Sequence, residues 1–244
     1  MVKVKICGIT NWADARRAIA GGAALLGFNF YEGSPRYITP ARARRIVRRL
    51  PKGVAAVGVF VNETEEKMLE TARVVGLDQL QLHGDESPAM VARLARTLPV
   101  IKAVRVRKPF RASQLAPYEQ ASAVLLDGYD RRARGGTGKT FDWEIARRAG
   151  RDGRIFLAGG LTPENVSDAI RAAKPYAVDV CSGVEARPGK KDPAKMRKFL
   201  RAIKAVPQGL KPLRMKRSKS ELKLRPPKMR QVGAVIKMTR KGVR

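Results

Sequence analysis

Between residues 2 and 206 the chain repeats one unit: a short β-branched apolar run, a turn rich in Gly, Asn, Asp or Pro, then a segment with apolar residues at helical spacing and Arg or Lys on its other face. Strand-like runs occupy 2–6, 24–30, 54–61, 79–82, 100–104, 123–126, 154–158 and 177–181. Helical segments follow at 12–20, 41–50, 63–75, 88–97, 111–118, 142–149, 163–173 and 193–205. Several open on helix-start signals, such as Thr162-Pro163-Glu164, which offers a cap residue, a proline in the first turn and an acid beside it. Strands alternating with helices predict a parallel sheet. Eight such units match the lower end of the size range of a (β/α)8 TIM barrel, whereas a doubly wound sheet more often has five or six strands. The expected fold is therefore α/β, with a barrel catalytic domain over residues 1–206 and chemistry at the C-terminal ends of its strands.

The pattern stops at Pro207. From there to Arg244 the chain carries Pro212, Pro226 and Pro227, 13 Lys+Arg against one acid and no sustained period, apart from a short apolar patch at 232–236. Residues 207–244 are thus expected to form a basic, disordered C-terminal extension. The plainest expectation for it is a solvated appendage; contact with polyanions through phosphate attraction is the alternative, and aromatic residues for stacking on bases are absent from it. The whole chain has 244 residues and a formal charge of +30, which favours anionic substrates or partners. No apolar run is long enough to span a membrane and the first six residues do not resemble a signal peptide, so a cytoplasmic location is expected. With only Cys7, Cys181 and His83 as thiol and imidazole ligands, neither a disulfide framework nor a structural zinc site is expected.

The strand ends collect a thiol (Cys7), a guanidinium in the loop after strand two (Arg36), an imidazole (His83), carboxyls (Asp127, Asp179) and glycine turns around Gly136, Gly138, Gly159, Gly160 and Ser182-Gly183. Bare amides in the loops after strands seven and eight commonly bind phosphate in this fold, so a phosphorylated small-molecule substrate is expected; tight turns alone are the plainer account of each glycine. Residues 133–140 nearly form a nucleotide-binding loop ending in Gly138-Lys139-Thr140, but Ala133 stands at the first glycine position. Cys7 and Asp127 suit proton transfer, a thiolate taking a proton from carbon while a carboxylic acid on another strand donates to a leaving oxygen. A small buried hydrophobe and a helix cap are their plainer alternatives, as a structural side chain is for His83 and a solvated one for Arg36.

Lys5-Ile6-Cys7-Gly8-Ile9-Thr10, Ser34-Pro35-Arg36-Tyr37, Gln81-Leu82-His83-Gly84, Leu125-Leu126-Asp127, Gly135-Gly136-Thr137-Gly138-Lys139, Ala158-Gly159-Gly160-Leu161 and Asp179-Val180-Cys181-Ser182-Gly183 together resemble the phosphoribosylanthranilate isomerases of tryptophan biosynthesis. The resemblance runs in order from residue 2 to about 204 and leaves out the extension. It implies an Amadori rearrangement of N-(5-phosphoribosyl)anthranilate without cofactor or metal, by a monomeric enzyme of the aldose–ketose isomerase class. It further implies Asp127 as general acid on the furanose oxygen, Cys7 as general base at C2, Arg36 against the anthranilate carboxylate, and His83 and Asp179 lining the pocket. The amides at Gly136, Gly138, Gly159, Gly160, Ser182 and Gly183 would hold the phosphate.

Cys181 departs from the small polar residue more usual in the family. Barrel closure makes the first and last strands neighbours, so Cys7 and Cys181 are expected near each other, either as a reversible disulfide or because a small residue fits there. The alternatives to the enzyme are the histidine-pathway isomerase, which uses two aspartates, and an inactive barrel with a polyanion-binding tail.

Overall fold

The computed structural model describes residues 2–106, 109–128, 143–150 and 154–207. They belong to one compact unit, Met1–Gln208; the other, Gly209–Arg244, lies outside the described residues together with the expectation of a disordered extension.

Eight parallel strands close into a barrel: β1 (Lys3–Ile6), β2 (Leu25–Asn29), β3 (Ala55–Phe60), β4 (Gln79–Leu82), β5 (Val100–Arg105), β6 (Ala123–Asp127), β7 (Ile155–Ala158) and β8 (Ala177–Val180). Closure is made by β1 on β8, with Lys5 opposite Asp179 and Ile6 opposite Val180. Because side chains alternate along each strand, one set fills the lumen and the other packs under the helices. Leu25, Val57, Ile101, Ala103, Leu125 and Phe156 belong to the inner cluster, and Ile6, Leu26, Phe28, Leu80, Leu126 and Val178 to the larger outer core. The barrel is the expected one, and its strands lie within about a residue or two of the apolar runs.

The surrounding helices are α1 (Trp12–Gly21), α2 (Pro40–Val47), α3 (Glu65–Val75), α4 (Pro88–Ala95), α5 (Trp143–Ala149), α6 (Val166–Ala173) and α7 (Pro193–Lys204). Asn11, Thr39, Thr64, Ser87 and Asp192 each cap a helix N-terminus by accepting from a backbone N–H of its first turn. Three segments differ from expectation. The fifth connection is a 3₁₀ helix, Ala112–Tyr118, because Pro117 within it has no N–H to give to an α-helical ladder. The sixth helix begins at Val166: Thr162 O takes the N–H groups of both Asn165 and Val166, so Pro163–Glu164 form a lead-in turn. After β8 comes a short 3₁₀ turn, Ser182–Val184, then an unexpected hairpin of β9 (Glu185–Arg187) and β10 (Lys190–Lys191), turned by Gly189 at φ +77°. Its charged sequence has no apolar alternation to announce a strand pair.

Candidate active site

The C-terminal rim begins with Cys7, one residue past β1, whose N–H donates to Val180 O at 2.9 Å and so sits against β8. The buried Cys7 thiol faces Gly27 of β2, where a Cβ would stand 2.8 Å from Cys7 Sγ and 3.0 Å from Lys5 Nζ. Glycine at 27 therefore lets sulfur and ammonium share one pocket. One layer deeper, Lys5 Nζ donates to both carboxylate oxygens of Asp179 at 3.0 Å, an ion pair fully enclosed by the barrel. Cys181 completes the group, and both cysteines are free thiols.

The electrostatics sort these groups into roles. The neighbouring Cys181 thiol, followed by the positive charges of Lys5 and Lys191, outweighs burial and holds Cys7 well below the usual thiol range. Cys181 is driven well above that range by the adjacent Cys7 sulfur and by burial, and its thiol donates to Glu185 Oε1 at 3.8 Å. Burial pushes the Asp179 carboxyl up to about 6 although Lys5 pulls it the other way. Burial alone would lower Lys5, but the charges of Asp179 and Cys7 raise it, which keeps the ammonium protonated.

On the opposite wall His83, just past β4, has Nε2 3.3 Å from Asp127 Oδ2 at the end of β6 and Nδ1 2.9 Å from Gln81 Nε2. Both His83 and Asp127 are partly exposed at the rim. Arg36, in the loop after β2, does not stand open: its Nε and Nη2 grip Glu185 at 3.0 and 2.7 Å, and Lys191 Nζ donates to the same carboxylate at 3.0 Å. The hairpin after β8 thus reaches across to hold the β2 loop.

The glycine turns divide. Gly159 and Gly160 adopt φ of +83° and +66°, and a Cβ on Gly159 would come within 2.8 Å of Asp127 Oδ1, which brings this turn against the end of β6. A side chain on Gly183 would collide with the Leu161 carbonyl oxygen, so the loops after β7 and β8 touch backbone to backbone. Ser182 opens the 3₁₀ turn beside them. Gly136 and Gly138 lie outside the described residues.

The rim therefore joins Cys7, Asp179 and Cys181 in one network and His83 and Asp127 in another, with Arg36 anchored at the edge. Sequence reasoning missed Lys5, Gln81, Glu185 and Lys191. Lys5 and Gln81 were findable, since each lies two positions before a candidate (Cys7, His83) and so on the same strand face. Glu185 and Lys191 carried no signal without the hairpin. Among the described residues no cluster of three or more His, Cys, Asp or Glu could hold a metal ion, and no helix is long and apolar enough to cross a membrane. A groove of about 220 Å³ beside the ends of β2 and β3, lined by Phe30, Tyr31, Phe60, Glu63 and Lys67, contains none of the candidate residues.

A model of the N-(5'phosphoribosyl)anthranilate (PRA) isomerase family matches residues 4–202. The chain is 52% identical over 206 residues to an N-(5'-phosphoribosyl)anthranilate isomerase of Geobacter sp. M21, covering 84% of this chain and 100% of the relative. Among solved structures it is similar to phosphoribosyl anthranilate isomerase from Thermotoga maritima at 46% identity and TM-score 0.78, covering 84% of this chain and 99% of that one. A phosphoribosyl anthranilate isomerase in complex with reduced 1-(o-carboxyphenylamino)-1-deoxyribulose 5-phosphate matches at 44% identity and TM-score 0.76, with the same two coverages. An eight-stranded barrel whose rim carries the expected residues, matched over nearly the full length of these relatives, makes this chain a member of the N-(5'-phosphoribosyl)anthranilate isomerase family.

Proposed function

We propose that the protein converts N-(5'-phosphoribosyl)anthranilate into 1-(o-carboxyphenylamino)-1-deoxyribulose 5-phosphate, with Cys7 as general base and Asp127 as general acid. The observation that carries this assignment is a thiol held toward thiolate on one wall of the rim with a hydrogen-bonded carboxyl on the other. Cys7 is held toward thiolate by Cys181, Lys5 and Lys191, while Asp127 shares a hydrogen bond with the His83 ring. Binding of the reduced product analogue by a relative supports a ligand with a carboxylate at one end and a phosphate at the other.

In the reaction Asp127 gives its proton to the furanose ring oxygen. The bond from that oxygen to C1 breaks with its electron pair staying on oxygen, and the nitrogen lone pair closes a C=N bond. The Cys7 thiolate then takes the C2 proton, leaving an enolamine that gains a proton at C1 and loses one from the C2 hydroxyl to become the ketone. Solvent returns the proton to Asp127 and receives the one held by Cys7. The amides at Gly159, Gly160, Ser182 and Gly183 form the phosphate end of the site, to which the sequence alone adds Gly136 and Gly138, outside the described residues. Arg36, with Nε and Nη2 fixed by Glu185, offers the rest of its guanidinium fork to the anthranilate carboxylate. His83 and Asp179 stand between these ends. A cysteine rather than an aspartate after β1 favours this substrate over the histidine-pathway one.

The test is the decay of phosphoribosylanthranilate fluorescence, with the substrate generated in situ, for wild type, Cys7→Ser and Asp127→Asn. Each variant is expected to lose about 10²- to 10⁴-fold in kcat, the usual worth of a general acid or base. Near-wild-type turnover by either variant would remove that residue from its role.

A further inference from the structure

Cys7 and Cys181 are the two cysteines of the chain, and the reaction above needs only the first. Barrel closure sets them side by side. Lys5 stands opposite Asp179 and Ile6 opposite Val180, so the next step of the register puts Cys7 beside Cys181, and Cys7 N–H donates to Val180 O at 2.9 Å. Alternation turns both side chains toward the lumen, as it does Lys5 and Asp179 two positions earlier. Neighbouring strands lie about 4.8 Å apart. A disulfide spans Cα atoms about 4.4–6.8 Å apart, so the pair falls within its reach.

Two glycines keep the space around the sulfurs clear. A Cβ on Gly8 would stand 3.0 Å from Cys181 Sγ, and one on Gly27 would stand 2.8 Å from Cys7 Sγ. Each sulfur is also the largest single influence on the other's proton affinity, lowering that of Cys7 and raising that of Cys181. Both thiols are free. We propose that Cys7 and Cys181 are an oxidation site, closing into a reversible disulfide when the protein meets a hydroperoxide. The effect on turnover rests on Cys7 being the base of the reaction above; formation of the bond does not.

The Cys7 thiolate attacks one peroxide oxygen. An S–O bond forms, the O–O bond breaks, and the second oxygen leaves as hydroxide. The Cys181 sulfur then attacks the Cys7 sulfenic acid. The S–S bond forms, the S–O bond breaks, and the Cys181 proton leaves with that oxygen as water, so the thiols give up the two electrons that the peroxide gains. Lys191 Nζ, 3.8 Å from Cys181 Sγ, and Lys5, whose charge acts on Cys7, favour the anionic sulfur that each attack needs. A dithiol reductant reopens the bond by exchange and becomes a disulfide itself.

Full-length protein would be treated with hydrogen peroxide, alkylated after denaturation and weighed by mass spectrometry, with turnover measured on the same samples before and after dithiothreitol. Wild type is expected to remain a single chain, to lose both alkylatable thiols and to weigh about 2 Da less than the reduced chain, the two thiol hydrogens. Its turnover should fall by at least about 10²-fold, the worth of a general base, and dithiothreitol should restore it. Cys181→Ser has no second thiol, so its Cys7 should run on to sulfinic acid, a gain of about 32 Da, and dithiothreitol should restore nothing.

Wild type that keeps two alkylatable thiols, that gains oxygen in place of the bond, or that links two chains instead would overturn the proposal. If Cys181→Ser does not fold, the wild-type mass decides alone. A disulfide that leaves turnover unchanged, or that forms in a protein without isomerase turnover, would keep the bond and defeat the role assigned to Cys7, so the two failures are distinguishable.

Discussion

Lys5 shows how much a single residue can set inside a barrel. A buried ammonium is costly unless paired, and Asp179 supplies two oxygens at 3.0 Å, so the charge is available to the neighbouring sulfur. Replacing Lys5 by Met removes one of the charges that hold Cys7 low and lets the Asp179 carboxyl, already raised to about 6 by burial, become neutral over a wider range. The thiolate absorbance near 240 nm, titrated in Cys181→Ser and in Lys5→Met/Cys181→Ser, should appear at higher pH in the second protein. Superimposable titrations would mean that Lys5 only fills space. Gly27 belongs to the same arrangement, since any side chain there would press on both the sulfur and the ammonium. Nothing in the local sequence marks this glycine, because the reason for it lies on β1.

Among the elements, the loop after β4 is fastened from beneath. Glu86 takes the N–H groups of Asn62 and Gly84 at 3.0 Å, and Lys102 Nζ on β5 donates to the Glu86 carboxylate and to Gly84 O at 2.7 Å. These bonds tie β3, β4 and β5 together next to His83. Removing one partner of a buried pair leaves the other uncompensated, so Lys102→Met should lower the unfolding free energy in urea by about 3–5 kcal/mol. A loss below about 1 kcal/mol would show that solvent reaches the pair. Burial works against it, yet the hydrogen bonds and charge of Lys102 hold the Glu86 carboxyl below the usual glutamate range. A depressed carboxyl contributes stability above its ordinary value and loses it as pH falls through the lowered one. The wild-type midpoint in urea should therefore drop on acidification from pH 5, and Glu86→Gln should flatten that drop. The hairpin after β8 does the same service for Arg36, through Glu185 and Lys191.

At the scale of the whole molecule, charge is the feature the family's chemistry does not demand. Of the +30, the segment after Val206 carries 13 Lys+Arg and one acid, and it lies beyond the family match. The protein should bind heparin at low salt and release it steeply as salt rises, because neutralised anionic sites hold counterions that bulk salt makes harder to expel. Retention that is the same at 50 mM and 500 mM salt, concentrations roughly spanning a Debye length of 14 to 4 Å, would refute this. A chain ending at Pro207 should keep its turnover and lose much of the retention.

The sequence by itself determined the eight strands, the order of the helices and which residues stand at the C-terminal strand ends, because apolar periodicity and turn residues are local signals and those ends follow from them. It also determined that Cys7 and Cys181 would meet, since closing eight strands makes the first and last neighbours. Pro117 and the Thr162 lead-in turn were local facts as well, but ones whose effect on helix type depends on competing backbone hydrogen bonds. Only the tertiary structure decided the partners. That Lys5 pairs with Asp179, that the Gln81 amide comes within 2.9 Å of the His83 ring, and that Glu185 grips Arg36 across 149 positions of chain all depend on distances set by barrel closure and strand register. A chain encodes those distances in its packing as a whole, so no segment of it displays them.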